Sequence, residues 1–177
     1  YAAASSSHPL APPFYAVDGN FWYHPSPPNR WVAAPSPGGT DFFEVDFGTE
    51  RRLQELTLYF LDDAEGPRRE ATGEVETSGY PAPSGSTGPS VQPPASYEVE
   101  YWNGEAWMEV PDQTRTPRTP TGRRANRIAF PALATTRIRV VLHHRENATS
   151  GLTELEAWSD ALPPPLAPGG GGGGALQ

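Results

Sequence analysis

The chain has 177 residues and a formal net charge of −8, and all 13 of its cationic side chains are arginine. An acidic chain without a basic cluster argues against nucleic acid and against an anionic lipid surface as partners, because both are bound by concentrated Lys or Arg. The absence of cysteine excludes disulfides and thiolate metal sites. No apolar run approaches the roughly 20 residues of a membrane-spanning helix, so no membrane insertion is expected.

Composition divides the chain into a central domain and two ends with the character of linkers. Residues 1–13 are rich in Ala, Ser and Pro, and residues 161–177 contain a Pro run and six consecutive Gly. Residues 14–160 between them suffice for one domain with its own core. We therefore expect one module of a larger secreted protein, joined to the other domains of that chain through Pro/Gly linkers. Within it, residues 64–94 are expected to form a low-complexity loop insertion, since Gly, Pro, Ser and Thr bury little apolar surface.

Strand patterns dominate the first half of this domain. Residues 41–48 alternate so that Phe43, Val45 and Phe47 share one face. Leu56, Leu58 and Phe60 repeat with the same period of two. This periodicity predicts two half-buried β-strands.

The second half continues the same pattern. Asn103-Gly104 lies between two alternating segments and predicts a hairpin with a two-residue turn, since Asn-Gly tolerates positive φ at both central positions. Further strands are predicted over residues 126–130, 136–144 and 152–158. The 22 prolines and the lack of a helical period leave an all-β, antiparallel β-sandwich as the predicted fold. Trp31 and Trp158 are expected to pack in its core or at its rim.

Three ordered segments carry a resemblance to a known family. They are AVDGN at residues 16–20 followed by Asn29-Arg30-Trp31, DFFEVDFG at residues 41–48, and residues 137–158 ending GLTELEAW. In this order the chain resembles the coagulation-factor type C (F5/8 type C, discoidin-like) domains and the galactose-binding-like carbohydrate-binding modules attached to glycoside hydrolases. The resemblance implies a jelly roll, lectin-like glycan binding without catalysis, and a secreted or cell-surface location.

The same resemblance implies one structural calcium ion, with Asp18, Asn20 and Glu154 as its ligands. Their carboxylate and amide oxygens suit calcium, which takes six to eight hard oxygen ligands. From the residues alone, Asp18 equally suits an Asx turn. Where the family often has a Thr or Ser after the Asp, this chain has residues 21–24, FWYH.

The resemblance further implies that a glycan binds at the loops of one end of the sandwich, and the loop of residues 21–30 has the appropriate chemistry. An aromatic ring can stack on the apolar face of a sugar, planar polar groups can bind its hydroxyls, and three prolines would lower the entropy lost on binding. Two further loops, residues 61–63 and 143–147, carry carboxylate, imidazole and guanidinium groups, although each could equally be a solvated loop. The candidate glycan contacts are Trp22, Tyr23, His24, Asn29, Arg30, Asp62, Asp63, His144 and Arg145.

Catalysis is not expected. Asp62 and Asp63 are adjacent, and neighbouring residues of an extended strand project to opposite faces, so they cannot flank one glycosidic bond. His24, His143 and His144 do not have the spacing of zinc ligands on one strand. Asn147-Ala148-Thr149 is a sequon, which makes Asn147 a candidate glycosylation site of a secreted glycoprotein. The alternative function is a structural or adhesion domain of an extracellular or cell-surface assembly.

Overall fold

The structure, a computed structural model, describes residues 1–22, 29–35, 38–63 and 90–159. Within this part of the chain the regular elements are ten β-strands and one 3₁₀ turn, Pro13–Ala16. The strands are β1 Ala2–Ala4, β2 Trp31–Val32, β3 Thr40–Phe60, β4 Ser90–Val91, β5 Ser96–Trp102, β6 Trp107–Glu109, β7 Thr114–Thr116, β8 Ala125–His143, β9 Ala148–Thr149 and β10 Gly151–Trp158. All pairs are antiparallel except β4 with β9.

Two long strands, β3 and β8, run through both layers of the sandwich. Their pairing shifts register between Asp46, opposite Arg137, and Arg51, opposite Thr135, so four residues of β3 oppose one of β8. Such a bulge bends a strand. Gly48 lies within this bulge at φ +71, and its N–H donates a hydrogen bond to the Asp46 carboxylate at 2.7 Å. This left-handed backbone favours glycine at the corner.

The bend places two five-stranded layers face to face. One layer contains β1, the first part of β3, the second part of β8, β5 and β6; the other contains β2, β10, the second part of β3, the first part of β8 and β7. The predicted antiparallel β-sandwich is thus confirmed. Its core has the predicted periodicity and includes Trp31, Phe43, Leu56, Leu58, Phe60, Val99, Ile128, Ile138, Val140, Leu142 and Leu155, all buried.

The predicted linker at residues 1–13 is instead part of the sandwich. Ala2–Ala4 pairs with residues 43–45 of β3 as an edge strand. The N–H of His8 donates to Val32 O at 2.8 Å, and Ala11 is buried. An alanine-rich segment has little β propensity of its own, so the edge of β3 supplies the hydrogen bonds that make it a strand.

The turn at Asn103-Gly104 also differs from the prediction. Four residues, 103–106, connect Trp102 to Trp107, and the Asn103 side chain accepts hydrogen bonds from the N–H groups of Glu105 and Ala106 at 2.9 and 2.8 Å. Only Gly104 of the pair has a positive φ, +105. The Asx-type bonds of Asn103 therefore organise a four-residue loop in place of a two-residue turn.

Three smaller differences concern the second half of the chain. The strands predicted at residues 126–130 and 136–144 belong to the single strand β8, which ends at His143. The last residues of the predicted insertion, 90–94, pack against the domain through β4 and two buried prolines. Trp158 is 52% exposed and is not among the residues packed on the core, so the expected packing in the core or at its rim is not observed. The rest of the insertion and the predicted C-terminal linker lie outside the described residues.

Among the residues that the structure describes, no helix is long and apolar enough to cross a membrane.

Candidate functional site

The loop of residues 17–22 holds an exposed tryptophan on a fixed backbone. The Asn20 N–H donates to the Asp18 carboxylate at 2.9 Å, and the Trp22 N–H donates to the Asn20 side-chain oxygen at 3.1 Å. The Thr153 hydroxyl, on β10, donates to Phe21 O at 3.0 Å. The backbone is therefore held from both sides, while the Trp22 side chain remains 60% exposed.

Phe21 and Tyr59 support that tryptophan from beneath. The Phe21 ring stacks on the Tyr59 ring, with centroids 4.8 Å apart and planes 16° apart, and the Trp22 ring lies 6.1 Å from Phe21 at 23°. Tyr59 belongs to the outer face of β3, and burial together with the Glu156 carboxylate raises the pKa of its phenol. Phe21, Trp22 and Tyr59 thus form a stepped aromatic surface, which we call the aromatic stack.

Two of the three implied calcium ligands lie together beneath the same loop. Glu154 on β10 is buried, and the backbone N–H groups of Gly19 and Asp18 act on its carboxylate to lower its pKa. Burial is the main reason that its pKa rises to about 7; the negative charge of Asp18 also raises it, and the two backbone donors oppose the rise. One oxygen of Glu154, Oε2, is buried without a hydrogen-bond partner.

Asn29 belongs to this loop and not to an exposed glycan surface. Its amide nitrogen donates to the backbone carbonyls of Asn20, at 3.0 Å, and Trp22. Its side-chain oxygen is buried and has no hydrogen-bond partner. The prediction of a glycan contact at Asn29 does not fit this burial; its amide instead orders the backbone that carries Trp22.

The residues present fit a hard cation. Glu154 Oε2 and Asn29 Oδ1 are buried oxygens without donors, and the exposed Asp18 carboxylate flanks the same loop. No three His, Asp or Glu side chains of the described residues cluster as a ligand set, so an ion here would depend on amide and carbonyl oxygens, which calcium accepts. The Asn20 side-chain oxygen is already engaged by the Trp22 N–H, and Asp18 makes the Asx turn that its sequence allowed.

Arg30 and Asp63 form a buried ion pair. Arg30 Nη1 donates to both carboxylate oxygens of Asp63, at 3.2 and 3.0 Å, and both side chains are largely shielded from water. Desolvation raises the pKa of Asp63, and the positive charge of Arg30 acts against that rise. The pair joins the start of β2 to the end of β3, so neither group is presented to a glycan as predicted.

His144 lies in a second buried polar network. Its Nε2 is 2.9 Å from Asp41 Oδ2 and its Nδ1 is 3.0 Å from Ser150 Oγ. The Ser5 and Ser6 hydroxyls donate to the other oxygen of Asp41 at 2.5 and 2.6 Å. The Asp–His–Ser order matches that of a hydrolytic triad, but His144 and Ser150 are buried, so a substrate cannot reach them. The network instead fixes the N-terminal segment, and the predicted glycan contact at His144 does not fit it.

The remaining predicted contacts are Asp62, which packs against Gly122, and Arg145, which contacts Pro93. A Cβ on Gly122 would lie 2.4 Å from the Asp62 side chain and 3.0 Å from Pro93. Arg145 Nε donates to Pro93 O at 3.0 Å, and Arg123 Nε donates to Asp62 O at 2.8 Å. Asp62 is half-buried and Arg145 is exposed. Arg123 and Arg145 are thus each anchored by a backbone carbonyl.

Two predicted contacts, Tyr23 and His24, lie outside the described residues. Asn147, the candidate glycosylation site, is exposed, whereas Thr149 of its sequon is buried in β9. Sequence reasoning missed Tyr59 as a site residue, because it reads as an ordinary strand residue until Phe21 is seen to stack on it.

The fold is shared with several carbohydrate-binding modules of known structure, although no protein-family model matches the chain. A structure from the Streptococcus pneumoniae β-galactosidase BgaA is 20% identical, with a TM-score of 0.69, and the match covers 89% of this chain and 90% of that one. The family 32 carbohydrate-binding module of Clostridium perfringens NanJ, solved with galactose, is 16% identical with a TM-score of 0.59, covering 89% and 91%.

A chitosan-binding module of a Paenibacillus chitosanase/glucanase, solved with chitotriose, gives 19% identity and a TM-score of 0.59, with 90% and 95% coverage. The match extends over nearly the whole of each of these three structures. The resemblance noted in the sequence is therefore confirmed as a resemblance of fold: the chain has the same β-sandwich fold as these modules.

Proposed function

We propose that the chain is a non-catalytic glycan-binding module of a larger secreted protein, and that Trp22 of the aromatic stack is its principal sugar contact. The observation that carries this proposal is that the Trp22 side chain is exposed while hydrogen bonds hold the backbone around it. Hydrogen bonds from Asn29 and Thr153 hold the surrounding backbone carbonyls, yet the indole remains open to solvent. A rigid, exposed aromatic ring binds a sugar with little loss of conformational entropy.

Two charged side chains elsewhere in the domain support the same proposal. Asp62 follows Tyr59 of the aromatic stack by three residues along the chain, and Arg145 is exposed, with its Nε donating to Pro93 O. Carboxylate and guanidinium groups pair well with sugar hydroxyls. The modules that share this fold include structures solved with galactose and with chitotriose, so neutral and amino sugars are both reasonable ligand classes for this chain.

We also propose that Asp18, Asn29 and Glu154 hold one structural calcium ion, with backbone carbonyls completing the shell. Asn29 replaces Asn20 as a side-chain ligand in this proposal, because the Asn29 oxygen lacks a donor whereas the Asn20 oxygen has one. When bound, the ion would link β10 to the loop that carries Trp22. Its contribution is structural.

Calcium should raise the melting temperature, because a ligand that binds only the folded state stabilises it by mass action. At a calcium concentration one hundred times its Kd the gain is about 2.7 kcal/mol. For a protein of this size that gain corresponds to roughly 5–10 °C. The measurement is a thermal melt in EDTA, followed by one in excess calcium.

The Glu154→Gln variant should lose this calcium response, whereas Glu156→Gln, two residues along the same strand, should keep it. Equal melts of the wild-type protein with EDTA and with calcium would remove the metal proposal.

The glycan proposal is tested by screening the folded protein, with calcium present, on a glycan array that includes galactosides, chitooligosaccharides and pectic oligosaccharides. Selective binding to a chemically related set of glycans is expected. No binding by protein that shows a cooperative melt would contradict the proposal and would favour a structural or adhesion role instead.

A further inference from the structure

A second exposed tryptophan lies on the same outer sheet face as the aromatic stack. In β10 and β3, Glu156 is opposite Thr57 and Trp158 is opposite Glu55. Directly opposed residues of an antiparallel pair project to the same side. Leu155 and Ala157 pack inward on the core, so Glu156 and Trp158 face outward together with Tyr59. We call the surface from Tyr59 to Trp158 the outer face.

Aromatic rings lie at both ends of the outer face. At one end the aromatic stack adds Phe21 and Trp22 above Tyr59. At the other end Trp158 is 52% exposed. The four residue-to-residue steps from Glu55 to Tyr59 separate the two ends by about 13 Å at the rise of a β-strand. That separation exceeds the length of one sugar ring and suits a chain of several.

The middle of the outer face is polar and carries both signs of charge. The Tyr59 hydroxyl lies 3.5 Å from Glu156 Oε2. Arg127 of β8 is paired with Thr57 and is exposed, and its charge acts on the Tyr59 hydroxyl. A carboxylate and a guanidinium between two aromatic ends offer an acceptor and donors to hydroxyl groups, and they disfavour a wholly apolar occupant.

We propose that the outer face binds a linear oligosaccharide lengthwise, with one sugar stacked on Trp22, a second on Trp158, and the intervening hydroxyls on Glu156 and Arg127. This inference rests on the proposed glycan function and adds a ligand class, an extended chain in place of a single terminal sugar. A tryptophan at an outward strand position contributes little to the stability of the fold when about half of its side chain stays exposed to water. Its stacking energy is instead available to a ligand.

The test compares wild type, Trp158→Ala and Trp107→Ala by affinity electrophoresis in gels containing glycol chitosan, galactan or polygalacturonan. Trp107 is the matched control, because it lies on the outer side of the other layer, opposite Trp102, with Arg139 over its ring. Trp158→Ala should weaken retention by about tenfold in apparent Kd, the value of one stacking contact. Trp107→Ala should be retained like wild type.

Binding of galactose and glucosamine by titration calorimetry separates this inference from the function on which it rests. If either monosaccharide binds, Trp158→Ala should leave its affinity unchanged. Equal retention of wild type and Trp158→Ala, or retention of wild type in no gel, would overturn the extended site. In the latter case a positive glycan array would leave the proposed function standing, and a blank array would remove both.

Discussion

Replacing Arg30 with methionine should lower the free energy of unfolding by about 3–5 kcal/mol, the cost of removing one partner of a buried ion pair. Arg30 Nη1 contacts both oxygens of Asp63, and both side chains are largely shielded from water. Without the guanidinium, Asp63 is left buried and unpaired, and desolvation already raises its pKa. Urea denaturation of the variant and of wild type measures the difference.

The pH dependence of this loss follows from the Asp63 carboxyl. Its folded-state pKa lies above its ordinary value of 3.8, and loss of Arg30 should raise it further. A group with a raised folded pKa contributes stability that is present below the unfolded pKa and lost as the pH rises through the folded value. The penalty of Arg30→Met should therefore be largest near neutral pH and smaller below pH 3.8.

Two control variants isolate the ion pair. Arg118→Met, at an exposed arginine, should change stability by less than about 0.5 kcal/mol. The double variant Arg30→Met/Asp63→Leu should recover much of the loss, since replacing a whole buried pair by apolar residues is often neutral. A penalty that is the same at every pH, or that persists in the double variant, would show that Arg30 acts through packing alone.

Trp22→Ala should reduce glycan affinity by about 2 kcal/mol, roughly thirtyfold, which is the effect of truncating a central aromatic contact. The melting temperature should stay nearly constant, because the indole is 60% exposed and the loop backbone is held by groups other than the Trp22 side chain. Titration of the best array ligand into both proteins measures the affinities.

Phe21→Leu is the informative companion to this variant. It removes the ring between Tyr59 and Trp22 and should weaken binding less than Trp22→Ala, because it alters only the support of the contact. Trp22→Ala could instead lower the melting temperature by many degrees while the folded variant binds the glycan with unchanged affinity. Trp22 would then be a packing residue and not a sugar contact.

The layered fold was predictable from local pattern, since period-two repeats such as Phe43, Val45 and Phe47 report directly which face of a strand is buried. The N-terminal strand was not predictable in this way. Ala2–Ala4 has no alternation, and its pairing with residues 43–45 of β3 depends on an edge that only the folded sheet provides.

The candidate site was predictable in its chemistry but not in its geometry. Trp22 and Glu154 were predicted from residue type and from the resemblance, and their roles stay predictions. Asn29 and His144 resembled exposed polar contacts, but both are buried. Asn29 donates to carbonyls of its own loop, whereas His144 and Asp41 are 103 residues apart. A buried polar group is stable only when hydrogen-bonded, and sequence alone does not show which distant residue supplies the bond.

The most direct test of glycan binding is to apply wild type and Trp22→Ala side by side to the same glycan array, with calcium present and with folding verified by their melts. We predict that wild type binds a related set of glycans and that Trp22→Ala loses most of that signal at the same protein concentration. A folded wild-type protein that binds no glycan, or a Trp22→Ala variant with an undiminished signal, would contradict the account.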